Sequence, residues 1–171
     1  LEEAGNIHST LPAHFATYPD MLKEQGYVTG FTGKGWSPGR LEVGGRTENP
    51  AGTEHSRNRL QTTQPGISNK DYASNFSDFL DQCPENTPFC FWLGTHEPHR
   101  HYQQGAGLAA GKDPSKVVVP QSLPDTPLVR SDILDYYTEV EHFDQMVERA
   151  LNRLEHEGEL DNTIVVVTSD H

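Results

Sequence analysis

Three times along this chain a helical pattern is followed by a short run of β-forming residues, an order that few folds satisfy. Residues 15–25 carry the first helical pattern, closed by Gly26, and Tyr27-Val28-Thr29-Gly30-Phe31-Thr32 follows. Tyr72, Phe76, Phe79 and Leu80 recur at helical spacing within 71–82 and lead into the apolar run Phe89-Cys90-Phe91-Trp92-Leu93. From Ser131, read as an N-cap, Ile133, Tyr136, Val140, Phe143, Val147, Leu151 and Leu154 mark a long helix ending at Gly158. Thr163-Ile164-Val165-Val166-Val167-Thr168 then reads as a third strand. Apolar runs without alternation fit strands covered on both faces, and helices between successive strands make a parallel sheet. The expected fold class is therefore α/β, a parallel-stranded sheet flanked by helices, with the three strands in one sheet. Lys116-Val117-Val118-Val119 is a candidate extra strand.

Composition narrows the function. The formal charge of −12, from 13 basic and 25 acidic residues, argues against a nucleic-acid surface, which needs a basic field. No stretch approaches the roughly 18 apolar residues of a membrane helix. Residues 34–70 reverse the balance, with six basic side chains against three acidic ones, and residues 96–130 hold four against three. Cationic loops on an acidic scaffold suit a small anionic ligand; solvated loop charge is the plain alternative. Both loops exceed the usual length of a connection, and long loops in compact domains tend to carry function. The two cysteines, Cys83 and Cys90, read equally as a bridge or as separate thiols. Asn75-Phe76-Ser77 fits a glycosylation sequon but falls inside a helical pattern.

Chemistry collects after the strands. Gly33-Lys34-Gly35-Trp36 follows the first, Thr95-His96-Glu97-Pro98-His99-Arg100-His101 the second, and Ser169-Asp170-His171 the third. Ligands of open α/β sheets bind outside the strands' carboxyl ends, so this placement has more meaning than any one motif. Lys34 between glycines is either a turn lysine or an anion binder whose flanking backbone allows close approach. The histidines read as a zinc site, as polar loop residues, or as sulfate or phosphate contacts with a proton to give a leaving group. Asp170 and His171 after a buried strand suit a metal carboxylate with an adjacent ligand. Asp144, beside the apolar stripe of the long helix, reads as a cap on a neighbouring loop rather than a catalytic group.

Several of these segments resemble the sulfatase family. Residues 18–34 are similar to the helix, strand and Gly-Lys turn of sulfatases, and residues 158–171 to their LDNTIVVFTSDHG segment. Residues 88–100 resemble their histidine-bearing strand, and the Glu97-Pro98-His99-Arg100 version looks like that of heparan N-sulfatase (sulfamidase)-like members. The resemblance implies an alkaline-phosphatase-superfamily fold that hydrolyses sulfate esters or sulfamates with a formylglycine nucleophile and a metal. It implies Ca²⁺, with Mg²⁺ or Mn²⁺ as alternatives, held in part by Asp170 and His171. Lys34 matches the sulfate-binding lysine and His99 the sulfate-contacting histidine, with His96 competing for that position and Arg100 beside them. A sulfated carbohydrate or other small sulfate ester is the implied substrate, and a secreted, periplasmic or lysosomal location is implied with it.

Three departures qualify the resemblance. Trp36 stands where many sulfatases have a histidine two residues after the lysine. No C/S-x-P-x-R motif, from which formylglycine is made, occurs in the sequence. The paired carboxylates of the family's metal site, and the glycine after Asp170-His171, are also missing. Residues 1–171 are thus expected to be the middle part of a single sulfatase domain, truncated at both ends and inactive by itself. A phosphoesterase or phosphonate monoester hydrolase of the same superfamily, or a non-catalytic anion-binding domain of this fold, are the competing readings.

Overall fold

The computed structural model describes residues 9–37, 39–61 and 64–169. The first helix, α1, spans Tyr18–Glu24, shorter than the 15–25 pattern. Thr17 sets its start: both the amide and the hydroxyl of Thr17 donate to Asp20 Oδ2 at 2.8 Å, a reciprocal cap that ends the preceding loop. Arg46 then donates to Asp20 and to the carbonyls of Leu11 and Phe15, which ties residues 11–20 to the turn around 41–46.

Strand β1 is Val28–Gly33 and β2 is the two-residue Thr53–Glu54. Helix α2 is Tyr72–Gln82, N-capped by Asp71, whose carboxylate accepts from the Ser74 amide at 3.0 Å. Strand β3 is Phe89–Gly94, α3 is Ala106–Ala109 and α4 is Pro127–His156. Helix α4 begins before the expected Ser131, because Thr126 caps it and Pro127 occupies its first turn, where a missing N–H costs nothing. The sheet order is β2-β1-β3, all parallel, as the helix–strand order requires. β1 and β3 pair without stagger from Val28↔Phe89 to Gly33↔Gly94. Their carboxyl ends therefore finish at one level, and that level is where the loops bearing Lys34 and His96 begin.

Phe76, Phe79, Ala150 and Leu154 form the main core, packed on Val28, Phe89, Phe91 and Leu93. Phe91 meets Phe76 and Phe79 with ring centroids 4.9 and 4.7 Å apart, within the range of favourable tilted aromatic pairs. Helices α2 and α4 thus cover one face of the sheet. Trp92 on β3 remains 41% exposed, so the cover is less even than two-sided apolar strands lead one to expect.

The third expected strand does not form. Residues 163–169 adopt no ladder, and Ile164 and Val166 are 92% and 77% exposed. An apolar run encodes a wish for burial but not the neighbouring strand that would supply it, and none of the described strands pairs with it. Lys116-Val117-Val118-Val119 likewise forms no strand: a 3-10 turn at Pro114–Lys116 precedes a buried Val117 and an exposed Val118. Asp144 is exposed, and the loop-capping carboxylate of α4 is Asp135, which accepts from the Gly105 and Gly107 amides at 2.9 and 2.8 Å. Cys83 and Cys90 are separate thiols, each with its pKa pushed up by burial. Asn75 is buried and accepts from the Asn58 amide, which leaves no room for a glycan in this fold.

Candidate functional site

Two glycines bring the site's loops together. Gly33 and Gly94 face each other across β1 and β3, and the Lys34 amide donates to Gly94 O at 2.6 Å. A Cβ on Gly94 would lie 1.9 Å from Lys34 O, and one on Gly33 2.0 Å from Gly94 O. Only hydrogen at both positions allows this approach. On the other side, Gly33 N donates to Ser56 Oγ at 3.3 Å, bringing the residues after β2 against the same turn.

Lys34, Lys70, His96 and His99 gather at this edge. Burial, first, and then the charges of Lys70, Lys34 and His99 push the His96 imidazole below its usual pKa, while Glu97 opposes them. The ring is consequently neutral in the free site near pH 7. Lys34 and Lys70 form no ion pair among the described residues, whereas Arg46, Lys112 and Arg130 are taken up by Asp20, Glu141 and Asp125. The loop charge thus divides into cations that fasten the fold and cations without an ion pair among the described residues.

The other expected residues lie on the same loop with different surroundings. His99 is exposed, its amide closes a turn onto His96 O at 2.9 Å, and its Nδ1 contacts Arg100 O. Arg100 donates twice to Asp132 at 2.8 and 2.6 Å and stands 4.5 Å over the Tyr102 ring. Its guanidinium clips the loop to α4. Of the expected residues, Lys34 is the one whose charge acts most on His96, behind that of Lys70. Asp170 and His171 lie outside the described residues, and among the described residues no group of three or more His, Cys, Asp or Glu comes together to hold a metal. An open cavity of about 380 Å³ lined by Pro65, Gly66, His101, Tyr102 and Gln103 adjoins the histidine loop.

Sequence reasoning missed the layer beneath. Tyr72 and Glu97 are buried and hydrogen-bonded to each other at 2.9 Å; the spacing of Tyr72 read only as core, and Glu97 only as part of a motif. Glu139 on α4 is also buried, and its Oε2 has no hydrogen-bond partner among the described residues. Burial and the neighbouring Glu97 raise its pKa from 4.5 to about 7. The unfolded chain loses this proton at lower pH than the folded one, so Glu139 subtracts stability as pH rises from about 4.5 to about 7. Glu139→Gln should therefore raise the unfolding midpoint at pH 8 by about 5 °C and change it little at pH 4.5. Thermal unfolding of both proteins at the two pH values checks this; an equal shift at both would remove Glu139 ionisation as the cause. His142, half-buried with its Nε2 unpartnered among the described residues, works in the opposite sense, losing stability as pH falls below 6.5.

The sequence model described as Sulfatase matches residues 2–171. This chain belongs to the sulfatase family. The three-stranded parallel sheet flanked by helices agrees with that family's α/β architecture. Among similar proteins is N-sulphoglucosamine sulphohydrolase from Homo sapiens, 29% identical over 174 residues, covering 90% of this chain and 33% of the relative. The chain thus spans about a third of that sulfatase's length. No helix among the described residues is long and apolar enough to cross a membrane.

Proposed function

We propose that this chain is the internal part of a single sulfatase catalytic domain, and that the complete protein hydrolyses a sulfate ester or sulfamate of a carbohydrate. The observation that carries the reading is the convergence of Lys34, Lys70 and a neutral His96 at the level where β1 and β3 end. A sulfate group meeting them finds two ammonium charges and an imidazole. Its negative charge raises the His96 pKa again, so binding draws in a proton that His96 then holds for the departing oxygen or nitrogen. His99 and Arg100 flank this group, and the cavity beside His101 and Tyr102 offers room for the body of a sugar.

Asp170 and His171 are proposed to help hold a divalent cation in the complete protein. A carboxylate suits Ca²⁺ as a hard oxygen donor, while the imidazole suits Mn²⁺ or Mg²⁺ no worse than Ca²⁺. The cation would neutralise charge on a sulfate oxygen. Without a C/S-x-P-x-R motif in its 171 residues, this chain supplies anion binding and proton handling but not the formylglycine attack.

The test uses the full-length protein and the 171-residue chain in parallel. The relative's name specifies N-sulphoglucosamine, so this sulfamate is assayed beside an aryl sulfate and an aryl phosphate. Turnover of a sulfated compound by the full-length protein, and none by the isolated chain, is expected. Turnover confined to the phosphate, or equal activity in the isolated chain, would refute the proposal.

A further inference from the structure

We propose that Tyr72 and Glu97 are positioning residues, a buried bracket that sets His96 against Lys34. The inference rests on the reading of Lys34 and His96 as sulfate-binding groups and adds the means by which they are aligned. Tyr72 is fully buried at 0% exposure, in the first turn of α2, directly after its cap Asp71. Its hydroxyl accepts from the His96 amide at 3.1 Å and donates to Glu97 Oε2 at 2.9 Å. Its ring lies against the Lys34 turn, for a Cβ on Gly33 would sit 2.8 Å from Tyr72 Cε1. The other carboxylate oxygen of Glu97 accepts from the Ser68 amide at 2.6 Å, and Ser68 Oγ accepts from the Lys70 amide at 3.2 Å.

These contacts join all three loops that bear Lys34, His96 and Lys70. The Lys34 turn is located by Gly33 against the ring, His96 by a hydrogen bond to the hydroxyl, and Lys70 by a link through Ser68 to the carboxylate. Met146 and Ala73 hold the tyrosine from below, so the bracket moves only if the core moves. Hydrogen bonds of a buried phenol and carboxylate are directional and expensive to leave unmade. A preference for one His96 position is therefore built into the scaffold before any ligand arrives, as preorganised sites require.

Tyr72→Phe removes the hydroxyl and keeps the ring, which separates positioning from packing. In the full-length protein, Tyr72→Phe should lower kcat for the sulfated substrate by about 10- to 100-fold with KM within about 3-fold, the scale of a displaced catalytic group. The decisive comparison is a double-mutant cycle with His96→Ala. If Tyr72 acts through His96, adding Tyr72→Phe to His96→Ala lowers kcat by less than about 3-fold further. Losses that multiply, or a Tyr72→Phe enzyme of undiminished kcat, would overturn the bracket while leaving the His96 reading intact. A His96→Ala enzyme with unchanged kcat would overturn the His96 reading itself, and the bracket with it. Where Tyr72→Phe does not fold, Glu97→Gln takes its place in the same cycle; failure of both to fold would show a purely structural pair and reject the proposal.

Discussion

Replacing Gly94 by alanine is expected to collapse the strand-end junction, with a loss on the order of 4 kcal/mol or more. The added Cβ would lie 1.9 Å from Lys34 O and 2.7 Å from Trp92 Nε1. The first contact is with backbone, so no rotamer change relieves it, and the β1 and β3 ends must part. Ordinary overpacking costs about 1–3 kcal/mol because side chains give way; here a ladder has to open. Gly26→Ala is the informative comparison. Gly26, unlike Gly94, has a positive φ, of 85°, but nothing lies within 4 Å of its Cβ position. It should cost only about 1–2 kcal/mol of left-handed strain. Chemical denaturation of the two variants separates the effects: comparable losses would mean that the close approach of the two loops at Gly94 costs no more than ordinary left-handed strain, and would contradict the junction.

How much of this was legible in the sequence depended on how local each signal was. Helices α2 and α4 followed from apolar spacing, and β3 from its unbroken apolar run, since each pattern reports its own burial. That Lys34 and His96 share one edge of the sheet also followed in outline, because each comes directly after a strand in a parallel sheet. The unpaired residues 163–169 mark the limit of that reasoning: Ile164 to Val167 are as β-prone as Phe89 to Leu93, but a ladder needs a partner strand as well as propensity. Capping shifted boundaries for similar reasons, with Thr126-Pro127 starting α4 about a turn before the expected Ser131. In the site, Lys34 and His96 were visible through their place after strands. Lys70 was not, because it precedes a helix cap with no motif around it. Tyr72 was hidden by its own hydrophobicity, as its spacing places the ring correctly and says nothing of where the hydroxyl points. Arg100 looked free in the sequence because Asp132, its partner, lies 32 residues later.

Lys34→Ala should be the most damaging single change to catalysis in the full-length protein. Lys34 stands on the rigid end of β1, held by its amide to Gly94, and contributes a charge that helps depress His96. Removing it takes a point charge from the negative charge carried by the bound sulfate group in the transition state. Loss of one such preorganised group typically costs about 100- to 1,000-fold in rate. It also removes a repulsion from the imidazole, so the His96 pKa in the free enzyme should rise in the variant. The high-pH limb of kcat/KM, above which His96 lacks the proton it donates, should move upward with it, a shift that simple misfolding does not produce.

The central claim, that Lys34 and His96 hold the sulfate group, is tested most directly by kcat/KM of the full-length protein for one sulfated substrate. Lys34→Ala and His96→Ala are compared with Lys23→Ala, which removes an exposed lysine paired with Glu48. Losses of about 100-fold or more for the first two, against less than about 3-fold for the third, are predicted. Rates for Lys34→Ala and His96→Ala that match Lys23→Ala would contradict the account.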